Sequence, residues 1–572
     1  MSQTGDIYNV TSHEVPFDIS CRTQNIMLPM RDGVRLHTAV YFPPEFRKKA
    51  HVLLFRTPYT RQEYLELPDA WALKHGYIYI LQACRGTGWS EGLFDPAERD
   101  QEASDAEDLI LWLRKQEWFG GRCVMTGASY PGWVQWCAAR TGLPELVGIA
   151  PRVAPLYSCT GAAYPGGGSR FSFAVSWMLS MHHRSTYGYA NVPNYDGDGI
   201  FEKLPPGDAD RHAGYPELGP FRKFLRKALK PGTHLTAHIS DFDTMRAPAF
   251  IVGGWFDAFK DETIESFQRM GKQAASAAAR NFTRMTVGPW GHGGLQNPEL
   301  FGAQCNYRET DARRGRFFAG LLKNPEKDPL PGAPRVWYYA LGENQWKTSG
   351  TWPPKGVRKI RYYLHSGGNA NTLNGDGGLD RRKPGRELPD AYVSTPGQPV
   401  WCNYREYGVP GCYDRALLQK RSDVLVYTSP VFEKPLAVAG NVRLTFSASA
   451  STPDTDFVAV LSDLLPDGRA LFLTMGMVRA RFRGGSDREE LLSPGRVYRF
   501  EIDLSHIAVT FMPGHAMRLD IAGQYFPMLG RNANTGGPLF RDRELKNSIH
   551  TIFHDAAHPA ELILPVLGTG KA

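Results

Sequence analysis

The run Val124-Met125-Thr126-Gly127-Ala128-Ser129-Tyr130-Pro131-Gly132 carries an apolar stretch straight into a serine flanked by glycines. Such a run makes a sharp strand-to-helix elbow. Gly127 lets the strand pass close to the incoming helix, Gly132 lets that helix pack back on the sheet, and Ser129 is left exposed at the apex. Two further runs supply what an activated serine needs. Gly253-Gly254-Trp255-Phe256-Asp257 puts a carboxylate directly after an apolar strand, and Gly288-Pro289-Trp290-Gly291-His292-Gly293 puts a histidine in a glycine-rich loop after another. Each run is common singly. Together, in the order Ser, Asp, His, they have the order of an α/β hydrolase, not that of chymotrypsin or subtilisin.

A serine hydroxyl is a poor nucleophile at neutral pH and needs a base to take its proton as it attacks an acyl carbon. His292 fits as that base and as the acid that later protonates the leaving group. Asp257 fits as the carboxylate that holds the imidazole in one tautomer and stabilises the imidazolium. The tetrahedral intermediate needs hydrogen-bond donors, the loss of one costing roughly 3 kcal/mol of barrier. The backbone N–H of Tyr130, next after the nucleophile, is the first. The second belongs to the loop after an early strand, which here reads Arg56-Thr57-Pro58-Tyr59 and lacks the glycine run whose amides serve lipases. The Tyr59 hydroxyl is a side-chain alternative; a plain turn aromatic is the other reading of that residue. Asp241 and Asp243 precede the acid strand, whereas a triad acid belongs at a strand's C-terminal end. His182, His183, His212 and His515 read as surface or structural residues, or as substrate contacts.

The chain has 572 residues, too many for one core, with 42% hydrophobic and 22% charged residues, the composition of a folded globular protein. No apolar stretch has the length of a spanning helix, and Met1–Ser20 lacks the basic start and apolar stretch of a signal peptide. The net charge of +8 is modest, with no basic block to track a phosphate backbone, which argues against nucleic acid as a partner. The eight cysteines have neither zinc-site spacing nor the density of a disulfide scaffold; reduced thiols are expected, for Cys402 and Cys412 also, and a cytoplasmic location with them.

Strand rhythm at 37–42, 51–55, 77–82 and 122–126, with a helix over 100–118, predicts a largely parallel sheet covered by helices. From about Tyr157 the chain turns Gly-, Tyr- and Met-rich, and strand rhythm returns at Ala249, which reads as a cap inserted over the strand ends where ligands bind. Asp196-Gly197-Asp198-Gly199 has a calcium-like pattern, but Pro205 stands where an EF-hand supplies its glutamate, so a polar turn is expected. After Trp352-Pro353-Pro354, short strands at 359–364, 424–427, 442–448, 457–461 and 517–521 predict an antiparallel sandwich or jelly roll. The expected divisions are an α/β-hydrolase core over 1–150 and 244–354, a helical cap over 151–243 and a jelly-roll β-sandwich over 355–572, packed together rather than tethered.

The chain resembles the cocaine esterase and X-Pro dipeptidyl-peptidase family of serine hydrolases, which also includes α-amino acid ester hydrolases. The resemblance runs nearly end to end: Met30-Arg31-Asp32-Gly33-Val34-Arg35-Leu36, Arg56-Thr57-Pro58-Tyr59, Arg85-Gly86-Thr87-Gly88-Trp89-Ser90-Glu91-Gly92 and the three elbow and loop runs above, then Tyr363-Leu364-His365-Ser366, Asp454-Thr455-Asp456-Phe457, Pro466-Asp467-Gly468-Arg469 and Arg531-Asn532-Ala533-Asn534-Thr535-Gly536. It implies Ser129, Asp257 and His292 as the triad, Tyr59 and the Tyr130 amide as the oxyanion hole, and a jelly-roll domain that is not itself catalytic. Cys84 departs from the pattern, standing where an acidic residue often precedes the Arg-Gly loop, and the segment before Asp243 lacks the usual aromatics.

The expected activity is hydrolysis of carboxylic esters through an acyl-enzyme, with no cofactor and no metal. A peptidase or amide acylase is the nearest rival; it needs a carboxylate for the substrate's amine, for which Asp196, Asp198, Asp241 and Asp243 are candidates. A binding protein with a silent hydrolase module is the rival of another class, against which the intact triad speaks. The expected partner is a small acyl ester or amide, with neither nucleic acid nor membrane, and self-association stays open.

Overall fold

The computed structural model describes residues 21–59, 69–96, 98–156, 163–164, 166–187, 199–219, 221–223, 242–295, 297–402, 411–485 and 488–568. The readings made above for Met1–Ser20, Cys159, Asp196–Asp198 and Asp241 fall outside them.

Ten strands form the first sheet: β1 (Thr23–Pro29), β2 (Arg35–Tyr41), β3 (Ala50–Thr57), β4 (Ile78–Ala83), β5 (Phe119–Ala128), β6 (Leu146–Arg152), β7 (Phe250–Gly254), β8 (Arg284–Gly288), β9 (Val336–Ala340) and β10 (Gln345–Ser349). Their order is β1-β2-β4-β3-β5-β6-β7-β8-β9-β10. From β4 to β9 every neighbouring pair is parallel, and antiparallel strands close both edges. Parallel strands need crossovers, and helices run through them here: the short Ala70–Lys74 between β3 and β4, then α1 (Arg99–Leu113), α2 (Tyr130–Ala139), α4 (Lys260–Gln273) and α5 (Arg308–Lys323); α3 (Phe171–Tyr187) departs from the sheet between β6 and β7. Side chains alternate in a strand, so Leu53, Val124 and Val252 pack on one face with Phe317 and Leu321 of α5. Leu54, Met125 and Ile251 pack on the other with Leu109 and Leu113 of α1.

The second sheet has eleven strands between Val357 and Leu567, among them β11 (Leu436–Ala450), β12 (Asp456–Leu464), β13 (Ala470–Arg479) and β14 (Tyr498–Phe511). This is the jelly-roll part of the molecule, antiparallel except where Gly378 meets Thr428, with β14 on β11 and β13 on β12. Phe446, Phe457 and Phe500 meet inside it at ring distances of 4.8–5.6 Å. Where β13 crosses β14, Gly476 leaves room for the Asp503 carbonyl, which a Cβ would approach to 2.0 Å. Two buried ion pairs, Asp456–Arg479 and Asp454–Arg481, each at 2.8 Å, are joined by Asn532, whose amide donates to both carboxylates.

One apolar cluster runs from β1 and β5 through Trp255 and Trp352 into β11 and β14, so the two sheets share a core. Among the described residues no helix is long and apolar enough to cross a membrane.

Candidate active site

The sequence Gly127-Ala128-Ser129 bends β5 into α2. Gly127 has φ +143°, and a Cβ there would lie 2.4 Å from Pro131; a Cβ on Gly132 would lie 2.5 Å from Ala154. Ser129 itself has φ 61° and ψ −126°, a region that non-glycine residues enter only where their surroundings force them. Its N–H donates to the Arg152 carbonyl at 2.9 Å, and its carbonyl accepts from Gly132 and Trp133 of α2.

At the ends of β7 and β8, glycines bring two loops into contact. A Cβ on Gly254 would sit 2.0 Å from the Trp290 carbonyl, and that carbonyl accepts the Phe256 N–H at 3.0 Å. The crossing sets the next residues face to face: His292 Nδ1 lies 2.7 Å from Asp257 Oδ2, and His292 Nε2 lies 3.0 Å from Ser129 Oγ. The other Asp257 oxygen accepts the Phe259 N–H at 2.8 Å. With Asp257 ionised, Nδ1 must carry the donated proton, which leaves Nε2 as acceptor for the serine hydroxyl. The Asp257 side chain is fully buried and that of His292 is 7% exposed. Phe173 of α3 and Phe259 both meet the His292 ring edge to face, at 5.5 and 5.4 Å.

The Tyr59 hydroxyl accepts the indole N–H of Trp177, on α3, at 3.0 Å. Trp177 lies nearly parallel to the Tyr130 ring at 5.9 Å. Tyr130 is buried, and its hydroxyl donates to Glu102 Oε1 of α1 at 2.7 Å. The structure therefore brings Ser129, Asp257, His292, Tyr59 and Tyr130 into one connected region, and adds Phe173, Trp177, Phe259 and Glu102, which reading the sequence did not single out. Glu102 had left a signal: it stands on the stripe 102, 106, 109, 113 with Ala106, Leu109 and Leu113, a carboxylate on the apolar face of a helix. The aromatic residues of α3 left none, because the chain does not say which face of a cap helix meets a site.

Other readings fall elsewhere. Asp243 is exposed. His183 Nδ1 is 2.9 Å from the Tyr215 hydroxyl, and His515 pairs with Asp463 at 3.0 Å in the second sheet. Cys84 lies at the buried Arg56–Glu102 pair, where burial first and the Glu102 carboxylate second hold its thiol well above the usual range, hence neutral. Behind Asp257, Lys260 is buried at the boundary with the second sheet and donates to Thr474 Oγ1 at 3.1 Å; burial pushes its ammonium down to about 8. The described cysteines other than Cys21 are buried, and all are free thiols. Among the described residues no group of His, Cys, Asp and Glu could hold a metal ion.

Residues 32–294 match the family model described as X-Pro dipeptidyl-peptidase (S15 family), and residues 331–563 match that of the X-Pro dipeptidyl-peptidase C-terminal non-catalytic domain. The chain is 30% identical over 588 residues to the cocaine esterase of Rhodococcus sp. (strain MB1 Bresler), covering 95% of this chain and 98% of that protein. In fold it is similar to an aminopeptidase from a marine sediment archaeon, Thaumarchaeota archaeon, with a TM-score of 0.81, 22% identity, and 99% and 100% of the two chains covered. It is likewise similar to an α-amino acid ester hydrolase, with a TM-score of 0.78, 21% identity and the same coverage.

Proposed function

The chain belongs to the X-Pro dipeptidyl-peptidase (S15) and cocaine esterase family of serine hydrolases, and from that premise we propose that it hydrolyses small carboxylic esters through an acyl-enzyme on Ser129. The observation that carries this reading is the line Ser129 Oγ–His292 Nε2–Asp257, at 3.0 and 2.7 Å, ending on a serine held in a left-handed backbone. As Ser129 Oγ bonds to the acyl carbon, its proton passes to Nε2, and the carbonyl becomes an oxyanion received by the Tyr130 amide and the Tyr59 hydroxyl. The Trp177 indole, by donating to Tyr59, turns that phenol's own proton outward as a donor. The C–O bond to the alcohol then breaks, with the proton going from Nε2 to the leaving oxygen. Water repeats the sequence on the acyl-serine and releases the acid. Phe173 and Phe259 flank His292 and make its surroundings apolar, which suits an acyl group better than a charged one. The described cysteines, all free thiols, go with a reducing, cytoplasmic setting.

The test is a fluorophosphonate, whose phosphorus takes Ser129 Oγ as fluoride leaves. The wild type is expected to be labelled and to turn over p-nitrophenyl esters, and Ser129→Ala to do neither. Labelling that survives Ser129→Ala would remove the assignment. Serine-dependent turnover of X-Pro p-nitroanilides rather than esters would make the enzyme a peptidase on the same machinery.

A further inference from the structure

The two donors assigned to the oxyanion come from separate parts of the first sheet: Tyr59 follows β3, and Tyr130 opens α2. One buried ion pair touches both parts. Arg56, near the end of β3 and three residues before Tyr59, has a fully buried side chain and places Nη1 2.9 Å from Glu102 Oε2. The same Nη1 donates to the Glu102 backbone carbonyl at 2.9 Å, and Nε donates to Gln82 Oε1 at 2.8 Å. The second Glu102 oxygen, Oε1, accepts the Tyr130 hydroxyl at 2.7 Å. Asp105, one turn along α1, lies 3.8 Å from Arg56 Nη2 and continues outward to Arg85 at 2.7 Å.

Stability gives no reason for this arrangement. Desolvating a carboxylate and a guanidinium offsets most or all of their attraction, and well-packed apolar residues serve a core as well or better. A carboxylate hydrogen-bonded through one oxygen and ion-paired through the other does what apolar packing does not: it ties the separation of its two partners to its own geometry. That matters where donors must meet an oxygen that exists only in the transition state, since a displacement of about 1 Å costs up to about a hundredfold in rate.

We propose that Glu102 is a positioning residue for the reaction, whose carboxylate, paired with Arg56 three residues before Tyr59 and bonded to the Tyr130 hydroxyl, fixes the spacing of the two oxyanion donors. This rests on the assignment of Ser129 as nucleophile and of Tyr59 and the Tyr130 amide as donors. The Tyr130 phenol thus acts at a distance from the substrate, through the backbone N–H of its own residue. With Cys84 a neutral thiol at this site, the countercharge for Arg56 falls to Glu102 and, more weakly, Asp105.

The full-length enzyme tests this with Tyr130→Phe, Glu102→Gln, Tyr59→Phe and the double variant Tyr59→Phe/Tyr130→Phe. The readouts are kcat and KM on a p-nitrophenyl ester, inhibition by phenylboronic acid, whose serine adduct presents an oxygen to the same donors, and fluorophosphonate labelling. Tyr130→Phe and Glu102→Gln are expected to lower kcat about tenfold at unchanged KM and to weaken the boronate in proportion. On a Tyr59→Phe background, where one donor is gone and spacing no longer matters, the loss from Tyr130→Phe should shrink to about twofold or less. Should Glu102→Gln fail to fold, Tyr130→Phe, which keeps the ring and the backbone, carries the test alone. Intact labelling with unchanged kcat in Tyr130→Phe overturns the proposal, as does a loss that multiplies in full with that of Tyr59→Phe. Absence of labelling in the wild type overturns the nucleophile assignment, and this proposal with it.

Discussion

Ser129 occupies a backbone region that costs of order 1–3 kcal/mol, so the residues around it must enforce it. Gly127 is the one most exposed to test. An alanine there would have to keep φ near +143° with its Cβ 2.4 Å from Pro131. Gly127→Ala is expected to destabilise the protein by about 2 kcal/mol or more, read as a lowered urea midpoint, and to slow fluorophosphonate labelling; an unchanged midpoint would mean the elbow is not under strain. Tyr59 offers a purely chemical test. If its hydroxyl donates to the oxyanion, Tyr59→Phe should lower kcat by about a hundredfold with little change in KM, and an unchanged kcat would leave it a turn aromatic that accepts the Trp177 indole.

At the scale of elements, α3 brings Phe173 and Trp177 to the site, and the second sheet's loops hold the start of that helix. Pro527 accepts the Ser172 N–H at 3.2 Å, Ser169 accepts that of Gly530 at 2.9 Å, and the Gly166 carbonyl accepts that of Arg479 at 2.8 Å. Phe540 stacks on Phe171 at 5.7 Å and 16°. Phe540→Ala should therefore cost about 3 kcal/mol and lower kcat, because it loosens the helix whose Phe173 packs on His292 and whose Trp177 donates to Tyr59. An unchanged kcat in the destabilised variant would mean that the start of the helix does not hold those two contacts. The same contrast explains what the sequence reveals. β3, β4, β5 and β7 are legible because strands buried on both faces write continuous apolar runs. Leu146–Arg152 goes unread because Gly148, Pro151 and Arg152 break its run, Ala470–Arg479 because Thr474 and Gly476 interrupt it, and Tyr498–Phe511 because polar residues punctuate it, although most of their length is buried. The helix expected over 100–118 stops at Leu113, where Lys115 and Gln116 donate to carbonyls three residues back and tighten the chain into a turn. Ser129, Asp257 and His292 are legible because glycines that let loops cross are rare and specific letters. Glu102 and Trp177 are not, since their partners come from elements distant in sequence.

Across the whole molecule, the acid loop leans on the second sheet. Trp255, two residues before Asp257, packs against Trp352 with the rings tilted at 39° and 5.4 Å apart, and the Trp352 indole donates to His506 Nδ1 at 3.1 Å. Asp261, in the first turn of α4, accepts the Ser505 hydroxyl. Burial pushes His506 down to about 4, against the pull of Asp261, and pushes His550, between Tyr392 and Thr455, down to about 3. Both rings are neutral in the folded state, and Nδ1 of His506 can accept from Trp352 only while neutral. The unfolded chain takes up these protons below its ordinary value near 6.5, so the stability they contribute is present above that pH and is lost as pH falls through 6 and 5, by roughly 1 kcal/mol per pH unit for each ring. Between pH 7.5 and 5 the thermal midpoint of His506→Gln, which cannot titrate, should fall less steeply than that of the wild type; equal slopes would contradict the assignment of His506. The Lys260–Thr474 and Asp261–Ser505 contacts have a consequence for inheritance and for engineering. The segment that aims the acid at its histidine is fastened to a neighbour encoded a couple of hundred codons downstream, so the front half of this gene is no portable cassette. A truncation near residue 350, or a fusion to a foreign partner, would keep every reacting atom and discard the brace that lines them up.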